Sequence, residues 1–160
     1  VIIDITNLED LKRRLSDKEI LAITSEILAR LSFFADRHQL VPVRTEGYAM
    51  VAIAKQGDLG HSHPNAALDF AIASRNSLAD ITGRRDAKVH FQIGADCTHI
   101  DADENVSLQQ IQKAWGLSLD KASRLVASAP ENHIQINTEM RNQIDARFKL
   151  MPYAVNYIVT

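Results

Sequence analysis

The chain has a single cysteine, Cys97, which leaves nothing for it to pair with and excludes an internal disulfide. It has no excess of either charge: 18 Lys and Arg stand against 20 Asp and Glu, for a net charge of -2. The signs also alternate along the chain, so no broad field exists that would gather nucleic acid or an anionic membrane. No apolar run approaches the length a bilayer span requires, which excludes direct membrane insertion. Low-complexity linkers and internal repeats are missing. The strand-forming segments carry too few aromatics to stack bases, which disfavours an RNA-binding sheet. There is no initiator methionine, and Val1 opens directly into the run VIIDI with no signal-like segment before it. These absences lead to the expectation of one domain, residues 1–160, cut from a longer chain and kept in a reducing, cytoplasmic compartment.

What is present is a pattern of periodicities. With 46% hydrophobic residues, the 160-residue chain can bury one sizeable core. The short β-branched run VIIDI suits a buried strand. A helix is predicted from Ser16, with Glu19 completing a capping box and Ile20, Ile23, Ile27, Leu31 and Phe34 recurring every three or four residues. The segments LVPVR and AMVAIA flank a Glu46-Gly47 turn signal and read as a hairpin, with Pro42 marking a free edge. Pro64 opens a second helix whose inner side is Ala67, Phe70, Ala71, Ser74, Leu78 and Ile81. KVHFQIGAD then alternates as a strand. The order strand, helix, strand, strand, helix, strand is that of a ferredoxin-like α+β sheet. Beyond it, the expectation is a polar stretch, a helix near 118–128, a strand in HIQIN, a short helix from Thr138 and a final strand in YAVNYIVT.

That topology carries a geometric consequence. Strands one and two run parallel with strand three antiparallel between them, so the end of strand one and the tip of the hairpin share one sheet edge. Asp4 is therefore expected beside Tyr48. Two carboxylates there would hold two divalent ions about 3.5–4 Å apart for in-line phosphoryl transfer. Tyr48 is a neutral phenol and cannot serve as the second.

Several stretches together resemble the class III nucleotidyl cyclases, the catalytic domains of adenylate and guanylate cyclases. IIDITNLEDLKRRLSDKEI resembles the opening strand, metal aspartate and loop of that family. RTEGYAMVAIA resembles its hairpin, and FQIGADCTHI the strand that leads into its dimer arm. KAWGLSLDKASRL matches the motif around Trp115, Gly116, Ala122, Ser123, Arg124 and Leu125. The similarity is collinear over about the first 140 residues, and a Trp-Gly followed by Arg inside Ala-Ser-Arg-Leu is far more specific than a lone glycine motif.

The resemblance implies head-to-tail dimers, through an arm after Ile100, with sites composed between two copies. It places Asp4 on a metal aspartate, and the second metal ligand on Tyr48. The base-reading positions fall on Arg44 and Lys113, both donors with no acceptor to offer an adenine amino group. The ribose-orienting asparagine becomes Asp120, Arg124 survives from the transition-state set, and Lys149 is a weak counterpart of a C-terminal lysine. The implied function is that of a degenerate cyclase-homology domain: a dimerising, nucleotide-binding signalling module with little or no turnover, within a larger sensor protein. The alternative is an active cyclase, a phosphorus-oxygen lyase using Mg or Mn in an unusual way, or one paired in a heterodimer with another cyclase domain. If inactive, the domain needs no cofactor.

Simpler roles stand beside these. Asp4 could cap the segment after its strand, Asp120 could be a first-turn carboxylate with Ser118 as N-cap, and Arg124 could pair on the surface with Glu131. Tyr48 could pack as an aromatic in the metal cleft. His61 and His63 lack a third ligand nearby and read as a solvated turn before a helix. The half calcium loop at Asp101, Asp103 and Asn105 fails because Val106 stands where glycine is needed. Cys97 is expected to be a small buried hydrophobe.

Overall fold

A computed structural model describes residues 1–44, 49–54, 62–84, 88–98 and 108–160. Its elements are β1 (Ile2–Ile5), α1 (Leu8–Arg14), α2 (Asp17–Arg37), β2 (Leu40–Arg44), β3 (Met50–Ala54) and α3 (His63–Gly83). They continue as β4 (Phe91–Ala95), α4 (Leu108–Ser128), β5 (Ile134–Ile136), α5 (Thr138–Arg141), β6 (Leu150–Tyr153) and β7 (Asn156–Val159). The strands form one sheet in the order β2-β3-β1-β4-β5-β7-β6. Its first four strands reproduce the ferredoxin-like arrangement: β3 lies antiparallel between β1 and β2, and β1 is antiparallel to β4. Pro42 sits in β2, an edge strand, where its missing N–H costs no ladder bond.

Local chemistry explains the helices. Ser16 and Glu19 exchange the bonds of a capping box at the start of α2, and Ile23, Ile27, Leu31 and Ala35 are the buried side of that helix. Pro64 occupies the first turn of α3, where a missing N–H costs nothing. Together α2 and α3 cover one face of the sheet, over a core that includes the fully buried Phe70, Phe91, Ile93 and Ile134. Each such side chain contributes roughly 1.5–3 kcal/mol of burial.

The opposite face is covered differently. Because side chains alternate along a strand, Ile2 and Val51 point away from α2 and α3 and pack instead with Ala122 and Val126 of α4. Gly94 lets that helix touch the strand: a Cβ there would lie 2.7 Å from the Val126 amide nitrogen and collide with the Ala122 carbonyl. Among the described residues no helix lies over the β2 end of this face, and Val41 and Val43 are 45% and 42% exposed.

Three sequence expectations are corrected. The segment after β1 contains a helix, α1, held by buried Leu8 and Leu11. The expected helix near 118–128 begins ten residues earlier, at Leu108, so Ser118 is not an N-cap and Asp120 is not in a first turn. The last strand is two strands, β6 and β7, paired antiparallel around a turn in which Ala154 takes the left-handed conformation at φ 51°.

Candidate functional site

Asp4 lies at the carboxyl end of β1, opposite Gln92 of β4, and shares the α4-side face with Ile2. It does not cap the following helix. The position before α1 is Asn7, whose side chain instead ties the Lys88 carbonyl and the His90 amide. β1 and β3 pair as far as Ile3 opposite Met50, so Asp4 stands at the end of the sheet from which the hairpin departs. Arg44 ends β2 at that same end. Tyr48, the dimer arm, His61 and the loop containing Asp101 and Asp103 lie outside the described residues, as does the side chain of Arg44.

The other site residues ride on α4. Residues 113, 120 and 124 are seven and four apart, which returns them to one line along a helix over about 16 Å. Lys113, Asp120 and Arg124 are all exposed on this line, while Ala122, Leu125 and Val126 are buried against the body. The Arg124 guanidinium has no partner among the described residues, and the surface pair expected with Glu131 is absent, because Glu131 engages His90 Nδ1 at 3.1 Å. Lys149 is exposed, just before β6.

The path of α4 is fixed at both ends of the sheet. At one end the Ser118 hydroxyl donates to Asp96 Oδ2 at 2.8 Å; at the other the Gln92 amide donates to the Ala129 carbonyl, and the Gln135 amide to Ser128 Oγ at 2.9 Å. The Ser118 end lies level with Asp96, four residues and about 13 Å along β4 from Gln92, the residue facing Asp4. Lys113 lies about 7.5 Å farther still. One chain therefore holds Asp4 and Arg44 at one end of its sheet and presents Lys113 and Asp120 toward the other, on the side of α4 turned outward. It does not assemble them into one pocket.

The anchor at Asp96 was not anticipated from sequence. Its buried carboxylate accepts from both Ser118 and the Asn137 amide, and Asn137 Oδ1 in turn accepts the Met140 amide at the start of α5. Lys121 of α4 reaches Glu139 of α5 at 3.4 Å, closing the circuit. Glu139 is held below its ordinary range, first by its own backbone amide and then by Lys121. Beside this network the Cys97 thiol is buried, and desolvation followed by the Asp96 and Glu139 charges pushes its pKa up to about 11. That is an inert thiol, not a nucleophile. A polar residue closing an apolar strand, as in IGAD, was the one available signal of the anchor.

The resemblance implies Mg or Mn, and the described donors do not suit a pair of such ions. Asp4 faces Gln92, not a second carboxylate, and the Gln92 amide is committed to Ala129. No group of three or more His, Cys, Asp or Glu that could hold a metal occurs among the described residues. None of the helices among those residues is long and apolar enough to cross a membrane.

Residues 1–154 match the family model described as the adenylate and guanylate cyclase catalytic domain. No curated protein matches the chain by sequence. Among solved structures, a dimeric guanylyl cyclase domain of the RhoGC fusion protein from Blastocladiella emersonii is similar at TM-score 0.77 and 21% identity, covering 99% of this chain and 90% of that one. The guanylate cyclase domain of RhGC from Catenaria anguillulae, solved in complex with GTP, is similar at TM-score 0.73 and 20% identity, with coverage of 99% and 93%. The adenylyl cyclase CyaB from P. aeruginosa is similar at TM-score 0.71 and 15% identity, with coverage of 99% and 91%.

Proposed function

Since the chain belongs to the adenylate and guanylate cyclase catalytic domain family, we propose that it is a dimerising cyclase-homology module that receives a nucleoside triphosphate between two copies and turns it over slowly or not at all. The observation that carries this reading is the separation of Asp4 from Lys113 and Asp120 within one chain. A second copy, turned head to tail, would set one chain's α4 line across from the other's Asp4 and Arg44.

The apolar surfaces support association of two copies. The sheet-facing stripe of α4 runs Trp115, Leu119, Ala122, Val126, but only the latter two meet the sheet; Trp115 and Leu119 remain 42% and 36% exposed. The uncovered Val41 and Val43 on the α4 side of β2 offer a place for such an overhang. Exposed apolar surface of this kind marks an interaction site.

Within the composite site, Arg44 and Lys113 supply only donors, which suit carbonyl oxygens or an anion. Arg124 would meet phosphate oxygens with its planar fork. Tyr48, in place of a carboxylate, removes the grip on a second divalent ion. Asp120 adds a negative charge beside bound phosphates. A second reading, turnover of a triphosphate to a cyclic nucleotide and pyrophosphate, is favoured by the retained Asp4 and by Arg124, which has no partner among the described residues.

The test is incubation of the purified chain with each ribonucleoside triphosphate and Mn²⁺, with cyclic nucleotide measured as product, alongside Tyr48→Asp. Binding with little product, raised by Tyr48→Asp, is the expected outcome. Turnover by the unmodified chain at the pace of a competent cyclase would overturn it in favour of the second reading.

A further inference from the structure

A separate surface lies on the opposite side of the molecule, on α2. Beyond the side buried against the core, this helix has a second, uncharged stripe formed by Leu21, Ser25, Leu28, Ala29, Ser32 and Phe33, all exposed and apolar but for the two small serines. Leu21 and Phe33 are 67% and 60% exposed and Leu28 is 39% exposed. The steps 21, 25, 28, 32 are the four-three-four spacing of a helix-packing seam. No charge lies on the stripe between its ends. Glu26 and Arg30 stand to one side, engaged with each other and with Asp80 and Arg84 around α3. The Phe33 ring is held edge-on against Phe34 at 5.4 Å between centroids, so an exposed aromatic is already oriented.

The two ends of the stripe are opposite in charge. Lys18 and Asp36 are eighteen residues apart, five whole turns, which puts them on the midline of the stripe about 27 Å from each other. Both are exposed, and neither side chain has a partner among the described residues. The stripe is also close to symmetric about its centre near residue 27: large Leu21 and Phe33 flank small Ser25 and Ala29. An antiparallel copy of the same helix would therefore set Leu21 against Phe33, Ser25 against Ala29, and Lys18 against Asp36 at both ends.

We propose that the outer face of α2 is a self-association surface that takes a second copy of this chain, with the two α2 helices antiparallel about a twofold axis level with residue 27. Such an isologous contact is self-complementary by construction. Small residues at its middle let the helix axes approach to the usual 8–10 Å. One helix pair buries less than the roughly 1,200–2,000 Å² of a standard interface, so the contact is weak when free and effective when copies are already held together. Its face is opposite to the α4 side, so both contacts can form at once and join dimers into larger assemblies.

The test is sedimentation equilibrium of the whole 160-residue chain carrying Trp115→Glu, which removes the α4-side contact and leaves α2 untouched. The expected result is a concentration-dependent monomer–dimer equilibrium that Phe33→Glu weakens at least tenfold. Lys18→Glu should weaken it severalfold, and adding Asp36→Lys should restore it. Orientation is read by oxidative crosslinking: Leu21→Cys chains should couple to Phe33→Cys chains and not to one another, while the native Cys97, buried, stays silent. The proposal is overturned if the Trp115→Glu chain stays monomeric up to about 1 mM, the concentration a tether supplies. It is also overturned if Phe33→Glu changes nothing, or if Leu21→Cys chains couple to themselves as fast as to Phe33→Cys.

Discussion

Asp4, Tyr48 and Arg124 were nameable from one-dimensional information because each falls within a short motif. Their spatial relation was not, because α4 carries Arg124 on its outward side and Asp4 lies at the end of β1. Cys97 shows the same split: its inertness was expected from its type, but its surroundings come from Asp96 and Glu139, which only the fold brings near. A pH prediction follows from that thiol. Its folded pKa is raised from 9.0 to about 11, so between these values the unfolded chain releases a proton that the folded chain keeps. The native state should therefore lose stability as pH climbs from about 9 to 11. Cys97→Ala should remove that part of the slope in urea titrations run across this range, and an unchanged slope would show that the thiol is not its source.

For the elements, legibility tracked amphipathicity against the sheet. The helix α2 was readable because a capping box and a single buried stripe agree. The first half of α4 was missed although Trp115 and Leu119 continue the stripe of Ala122 and Val126, because the polar residues that precede and surround them read as a loop. The β6–β7 turn was hidden too, since Ala154 takes a conformation more often marked by glycine. What holds α4 in place is backbone contact at Gly94. Gly94→Ala would drive a methyl into the Ala122 carbonyl and the Val126 amide, neither of which can move without shifting the helix. A cost of about 1–3 kcal/mol is expected from such overpacking, measured as a lower urea midpoint. Because α4 carries Lys113, Asp120 and Arg124, nucleotide affinity should fall with it.

At the level of the whole molecule, the apolar overhang of α4 and the bare β2 face are the two surfaces that a head-to-tail dimer would join. Trp115→Glu with Leu119→Glu is expected to shift the sedimentation mass toward monomer and to abolish nucleotide binding together, since a composite site needs both copies. If binding survives in a monomeric double variant, the site is not shared between copies.

The ferredoxin-like strand order was legible from local patterning, since alternation, helical period and turn chemistry are short-range and can be read residue by residue; the family was legible from its motifs, above all Trp115-Gly116 and the Ala-Ser-Arg-Leu around Arg124. The same is true of the substitution at Tyr48. Tertiary structure alone decided that Asp4 lies apart from Lys113 and Asp120 within one chain, and that Asp96 anchors α4. These depend on which strand edges and helix sides meet across the sheet, and such long-range packing has no periodic trace along the chain.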